Sequence, residues 1–352
     1  MITFLTTAEH DYTITKYREL WGASLKQGIR SLPYELLFCM GSIPKGTYIF
    51  TDLDRLAPKN LIRAGQWYQI MRDQGVTVLN DPRQFVGRFA LLQRLYREGR
   101  NRFNACSLDE RHLARFPVFL RFASGHGGTE SELLHDAESL DREIGKAINR
   151  RSKRELIVVE YLDHKEDDDR HYKYHHFRIG KRLIFAGMVC GKSWCLKGAE
   201  DIDDDIVKRE QNHALCRDHD EKLMSCFEAA GVEFGRIDYA IVDGQVQVFE
   251  INNNPDLGVA CPPGLQRWLF RSRCYQEFNE ILWGYHQDLS DEGHITIPGV
   301  IRPGSLLLLL LLALWRPARR LRQLHVTRAQ PTREFVLPTL AKSWMKRRGA
   351  RM

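Results

Sequence analysis

GVEFGRIDYAIVDGQVQVFEINNNPDLG, residues 231–258, reads as two alternating strands about a tight turn. The strands 233–242 and 245–252 are joined by Asp243-Gly244, and Asp-Gly between alternating runs is a strong short-range hairpin signal. Alternate side chains of a strand share a face. Arg236 and Asp238 therefore point the same way on the first strand, and Val246, Val248, Glu250 and Asn252 on the second. Folding about the turn brings Asp238 near Glu250, so two carboxylates and an amide oxygen meet in one patch. A hairpin packed on a helix would not place acids there without a counter-ion. Oxygen ligands of this kind suit Mg²⁺, which takes a few carboxylates and fills its other positions with phosphate oxygens and water. Arg236 would reach the same phosphates. The alternative is a half-exposed hairpin with solvated acids, against which stands the further polar run Asn252-Asn253-Asn254-Pro255.

Upstream, strand signals at 2–5, 48–51 and 76–79 alternate with helical patterns at about 13–26 and 60–73. They predict a small parallel-sheet domain ending at the turn cluster Asn80-Asp81-Pro82. A helix is predicted over 82–98, with Pro82 suited to its first turn. Next come a strand over 116–122, the glycine-rich turn 124–128, a helix over 130–149 and a β-branched run over 155–162. Strands 171–179 and 182–189, divided by Gly180-Lys181, read as a second hairpin. Helices over 205–216 and 220–230 precede the decisive hairpin, and one over 265–285 closes the body. The pattern is that of an α+β protein.

With these elements in place, R-I-D-Y at 236–239, D-G at 243–244 and E-I-N-x-N-P at 250–255 resemble the metal-binding end of the ATP-grasp superfamily. That superfamily includes glutathione synthetase and the ligase that adds glutamate to a ribosomal protein. The resemblance runs from about residue 76 to 258. It implies that Asp238, Glu250 and Asn252 bind the Mg²⁺ ions that bridge the phosphates of ATP. The run PVFLR at 117–121 is similar to the family strand ending in a phosphate-binding lysine. Here Arg121 keeps the charge as a planar fork. The turn holding Gly125, Gly127 and Gly128 would fold over the β- and γ-phosphates through its backbone N–H groups. VVEYL at 158–162 resembles the hinge whose backbone reads the adenine edge, with Glu160 and Leu162 making those contacts and Asp163 or a nearby acid taking the ribose. Asn80-Asp81-Pro82 with Arg88 resembles the segment of the family's other phosphate-binding lysine, for which Arg88 is the substitute.

The resemblance further implies an ATP-grasp fold: an N-terminal α/β domain over 1–81, a central lobe over 82–185, a metal-binding lobe over 186–297, and a Leu-rich basic tail over 298–352. The implied activity is that of an ATP- and Mg²⁺-dependent ligase. It would activate a small-molecule or peptide carboxylate as an acyl phosphate for attack by an amine, with Arg121 and Arg236 neutralising charge. Two alternatives stay open: phosphotransfer without ligation, and a non-catalytic nucleotide-binding module docked on a membrane by its tail. Arg170, Lys173, His175 and Arg178, with Lys192, Trp194 and Lys197 beyond them, mark a candidate acceptor cleft. A solvated basic strand is the other reading of the same residues.

The net charge of +7 is unevenly spread. Residues 299–352 hold 12 Lys/Arg against the single acid Glu334, leaving 40 basic and 44 acidic residues in the body. A mildly acidic body with a basic tail gives no specific nucleic-acid partner, and no aromatic platforms interleave the tail's charges. Eight scattered cysteines without a C-x-x-C pair, and a start (MITFLTT) too short for a signal segment, point to the cytoplasm. Seven consecutive leucines, 306–312, lie within an apolar stretch of about 16 Å as a helix, half of a bilayer core. Residues 305–322 either pack on the body or on a second copy in a homodimer, or lie on an anionic membrane surface with Arg316, Arg319, Arg320 and Arg322. Two motifs are rejected. Gly187–Ser193 has three residues between its glycines where a Walker A loop needs four. His171, His175 and His176 lack a partner that completes a zinc set.

Overall fold

The computed structural model describes residues 1–124, 128–148, 156–196, 202–257, 264–286 and 293–296. The chain opens with β1 (Ile2–Thr6), α1 (Tyr12–Glu19), β2 (Ile29–Pro33), α2 (Tyr34–Leu37), β3 (Ser42–Pro44), β4 (Thr47–Phe50), α3 (Pro58–Asp73) and β5 (Thr77–Leu79). The order β2-β1-β4-β5 forms a sheet in which every neighbouring pair is parallel. All five residues of β1 are buried, as a strand covered on both faces requires. α3 starts on Pro58, where the missing N–H costs no helical bond.

The middle of the chain holds α4 (Arg88–Arg97), β6 (Ala105–Ser107), β7 (Val118–Phe122), α5 (Ala137–Ile148) and β8 (Leu156–Glu160). The strands form an antiparallel sheet in the order β6-β8-β7. α5 buries Leu140 and Ala147 in a core with Val118, Leu120 and Phe122. The helix expected from Pro82 begins instead at Arg88. The reason lies in the intervening backbone. Asp81 accepts from the Arg83 N–H at 3.0 Å, and Val86 N–H donates to the Ala230 carbonyl at 2.9 Å, so this segment ties the domains together instead of coiling.

The remainder comprises β9 (His171–Ile179), β10 (Arg182–Gly191), α6 (Asp204–Leu215), α7 (Asp220–Ala229), β11 (Phe234–Val242), β12 (Gln245–Asn252), α8 (Leu265–Trp283) and β13 (His294–Thr296). An antiparallel sheet runs β10-β9-β11-β12. Parallel and antiparallel sheets thus coexist in an α+β chain. The β11–β12 turn has Asp243 at φ 49° and Gly244 at φ 73°, the double positive φ of a type I′ hairpin. One sheet face packs Tyr174, Tyr239 and Val248 against α4, α6 and α7 through Leu91, Ile206, Leu223 and Phe227. The other face begins in a core shared with the parallel-sheet domain, where Phe177, Ile179 and Phe234 meet Phe4, Tyr17 and Phe278.

The division expected at 185/186 falls inside β10. β9 and β10 pair with the β11–β12 hairpin, so the central sheet ends with β8. β10 also explains the false Walker motif: Gly187 to Gly191 is strand, not loop before helix. Gly187 is required for another reason. It sits at φ +130°, and a Cβ there would overlap the Arg271 guanidinium. Arg271 and Arg267 reach past it to the fully buried Glu210, at 2.8 and 2.6 Å. The tail 298–352, including 305–322, lies outside the described residues. Among the described residues no helix is long and apolar enough to cross a membrane.

Candidate functional site

Asp238 on β11 stands directly opposite Glu250 on β12, and Arg236 opposite Asn252. The register shifts after this pair, so Tyr239 faces Val248 and Phe249 is an extra, unpaired residue. This β-bulge reverses the alternation of β12. Val246, Val248 and Ile251 therefore pack in the core with Ile237 and Tyr239, while Glu250 and Asn252 face the other way. The expected common face for Val246, Val248, Glu250 and Asn252 is corrected by that one residue. Without the bulge, Glu250 would enter an apolar core.

Glu250 and Asp238 form one wall of a cavity of about 420 Å³ between the β6-β8-β7 sheet and the β10-β9-β11-β12 sheet. Arg121, Lys173, Arg236, Gly128 and Thr129 line it as well, as do Glu160, Tyr161 and Leu162. Gly125 and Gly127 lie outside the described residues. Arg88, at the start of α4, donates to Glu250 Oε2 at 2.5 Å, and Arg121, on β7, donates to the same oxygen at 3.1 Å. Arg88 also donates to the Ala123 carbonyl at 3.1 Å, beside the glycine turn. Both predicted arginines thus converge on the predicted metal ligand. Burial would raise the pKa of Glu250, but Arg88 and Arg121 override it and hold the value at about 2.

Asp238 Oδ1 accepts from Arg236 Nε at 2.9 Å and lies 2.9 Å from His175 Nδ1. Burial again opposes ionisation, yet Arg236 and His175 keep the Asp238 pKa well below the carboxylate range. His175 itself is pushed down to about 4, since burial outweighs Asp238. Its imidazole is neutral and donates Nδ1–H to the carboxylate. Asn252 is half-buried on the same face, and its amide oxygen accepts from Asn254 N–H at 2.9 Å. An amide oxygen keeps a second lone pair for another partner.

Other expected positions make different contacts. Glu160 spends its carboxylate on Arg115, at 2.7 Å, and on the Asn104 N–H, and its own N–H on the Asn104 carbonyl. Asp163 is two-thirds exposed, is absent from the cavity lining, and accepts from Tyr161 Oη and Lys165 N–H. It therefore stands away from the cavity in which a ribose would sit. Of the expected acceptor strand, Lys173 and His175 face the site, whereas Arg170 pairs with Asp203 at 3.3 Å on another surface. Arg178 lies over the Phe227 ring on the opposite face. Lys192 is exposed and Trp194 lines the cavity, packed 5.2 Å from Phe119. Lys197 lies outside the described residues. His171, His175 and His176 are all buried, and of the three His175 meets a carboxylate of the site, Asp238. Sequence reading did not single out His164, Phe103 or Phe249, which also line the cavity. Phe249 follows the core-facing Val248 and so faces the cavity by alternation, and the bulge brings Glu250 to the same side.

The donors fit a magnesium-bound polyphosphate. Among the described residues no group of three or more His, Cys, Asp or Glu could hold a metal by itself, but Mg²⁺ needs only one or two carboxylates when phosphates and water complete its shell. Four cations, Arg88, Arg121, Lys173 and Arg236, surround the two carboxylates, an excess of positive charge suited to an anionic ligand. Arg121 Nε is buried without a hydrogen-bond partner among the described residues.

No family model matches the sequence, and no curated protein matches it significantly. Solved structures do. The D-alanine–D-alanine ligase from Bacillus anthracis is similar at 13% identity and TM-score 0.47, over 83% of this chain and 99% of that one. The Helicobacter pylori ligase shows 11% identity and TM-score 0.46, over 81% and 98%. A RimK domain ATP-grasp protein from Sphaerobacter thermophilus shows 13% identity and TM-score 0.40, over 78% and 100%. Likeness at this level decides nothing about the chemistry; the side chains of this chain must.

Proposed function

We propose that this chain is an ATP-grasp ligase, which binds Mg-ATP between its two antiparallel sheets and activates a carboxylate for attack by an amine. The observation that carries the reading is the juxtaposition of Asp238 and Glu250, opposite one another on one cavity wall, with Arg88 and Arg121 converging on Glu250 and Arg236 on Asp238. Asp238, Glu250 and the second lone pair of Asn252 would hold the metal. Bound there, Mg²⁺ would neutralise the triphosphate and make the γ-phosphorus more electrophilic.

The chain's own residues do the rest by placing charge and excluding water. Arg88, Arg121, Lys173 and Arg236 balance the phosphates. Neutral His175 holds Asp238 ionised and oriented. Gly128 and Thr129 line the cavity beside Arg121, and its aromatic side chains keep water out. In the first step a carboxylate oxygen of the substrate attacks the γ-phosphorus, the bond to the β-phosphate oxygen breaks, and ADP leaves with an acyl phosphate formed. In the second, an amine attacks the acyl carbon, phosphate leaves, and the amine's proton passes to solvent. No covalent enzyme nucleophile takes part.

A direct test uses carboxylate acceptors labelled with ¹⁸O, paired with a panel of amines. Ligation moves one label into inorganic phosphate. ADP formation without label transfer would refute ligation and favour simple phosphotransfer or hydrolysis. The Leu-rich segment 305–322 as a peripheral membrane contact remains part of the proposal, tested by liposome co-sedimentation of the full chain against a chain ending at Pro298. Equal sedimentation of the two would remove it.

A further inference from the structure

The cavity is lined by the aromatic side chains of Phe103, Phe119, Tyr161, Trp194 and Phe249, with His164 against Phe249. Flat apolar walls of this kind suit a nucleobase. His164 is held in one orientation there. Its ring lies 4.8 Å from the His171 ring in an edge contact and 5.2 Å from Phe249. Its Nδ1 is 3.1 Å from the Leu162 carbonyl oxygen. A carbonyl only accepts, so the proton of the neutral ring sits on Nδ1 and Nε2 keeps its lone pair. Burial pushes the imidazole pKa down to about 4, which keeps the ring in that neutral form at physiological pH. With Nδ1 turned to the Leu162 carbonyl, Nε2 is the ring atom left to accept from a ligand in the cavity that His164 lines.

We infer that His164 is the specificity-determining residue of the nucleobase pocket, accepting through Nε2 from the exocyclic amine of adenine. Guanine carries a carbonyl oxygen at the same ring position, which would set lone pair against lone pair. Rejection through mismatched hydrogen-bonding groups in a buried site is stronger than rejection by size. The inference rests on the nucleotide reading of this cavity and adds to it the residue that selects the base.

The test is calorimetric titration of Mg-ATP and Mg-GTP into the wild-type chain, His164→Phe and His164→Gln, with melting curves for each. The wild type should prefer ATP at least about tenfold. His164→Phe keeps the ring but removes the acceptor, and should weaken ATP binding about three- to tenfold while bringing the two nucleotides to near parity. His164→Gln offers donor and acceptor alike and should also narrow the preference, which keeps the test intact should the phenylalanine variant not fold. A preference for ATP unchanged in folded variants would overturn the role of His164 and leave the site standing. Equal wild-type affinity for the two nucleotides would overturn it as well. Failure of the wild type to bind either nucleotide would instead sink the nucleotide reading itself.

Discussion

Replacing Glu250 by Gln keeps shape and volume and removes one charge from the site's most crowded point. The side chain is 19% exposed and holds Arg88, 6% exposed, at 2.5 Å and Arg121, 13% exposed, at 3.1 Å. Both guanidiniums remain charged, so the variant leaves two buried cations facing a neutral amide. Breaking a buried ion pair from one side costs about 3–5 kcal/mol. Unfolding entropy is about 2.1 cal/mol/K per residue, or about 0.7 kcal/mol/K for a chain of this size. The melting temperature should therefore fall by about 4–7 °C, read by scanning calorimetry at neutral pH. Inorganic tripolyphosphate returns negative charge to the two arginines, so it should raise the melting temperature of Glu250→Gln more than that of the wild type. A variant that melts with the wild type would show that the two arginines do not depend on Glu250. One destabilised but indifferent to tripolyphosphate would show that they do not face an anion site.

Acid should unfold the chain early. His164, His176 and His213 are held neutral by burial, with pKa values pushed down to about 4, 3 and 4. An unfolded histidine titrates near 6.5, so the unfolded chain binds protons first and stability present above that pH is lost below it, by about 2 kcal/mol per histidine at pH 5. Asp52, raised to about 6 by burial, works in the opposite sense by about 1 kcal/mol; a urea midpoint flat between pH 7 and 5 would contradict this balance. Glu210→Gln strands Arg267 and Arg271 and should cost about 3–5 kcal/mol in chemical denaturation, while Mg-ATP affinity of the folded variant stays put; a parallel loss of affinity would mean the network reaches the site. Gly187→Ala places a Cβ against Arg271 at a φ that L residues avoid and should cost at least about 2 kcal/mol; an alanine tolerated there would mean Arg271 has room to withdraw.

Much of the site was legible because its signals are local. Asp243-Gly244 fixes the hairpin, and strand alternation places Arg236 beside Asp238, as their 2.9 Å contact bears out. The unpaired Phe249 was not legible, since a bulge in a run such as Val-Gln-Val-Phe-Glu carries no glycine or proline to mark it. Glu250 reaches the expected wall by way of that unseen residue. β2 escaped because Ile-Arg-Ser-Leu-Pro shows neither clean alternation nor an apolar run. The late start of α4 depends on Val86 meeting the carbonyl of Ala230, a partner far away in sequence. Asn80 is of the same kind. It is wholly buried at φ 64°, and its amide bridges the Phe50 and Phe234 carbonyls, joining two domains where the sequence showed only a turn.

The most direct measurement is calorimetric titration of ATP with and without Mg²⁺ into the wild type and Asp238→Asn. The account predicts binding that tightens strongly with Mg²⁺ in the wild type and loses that dependence in the variant. ATP binding indifferent to the metal, or a metal response untouched by the loss of Asp238, would contradict it.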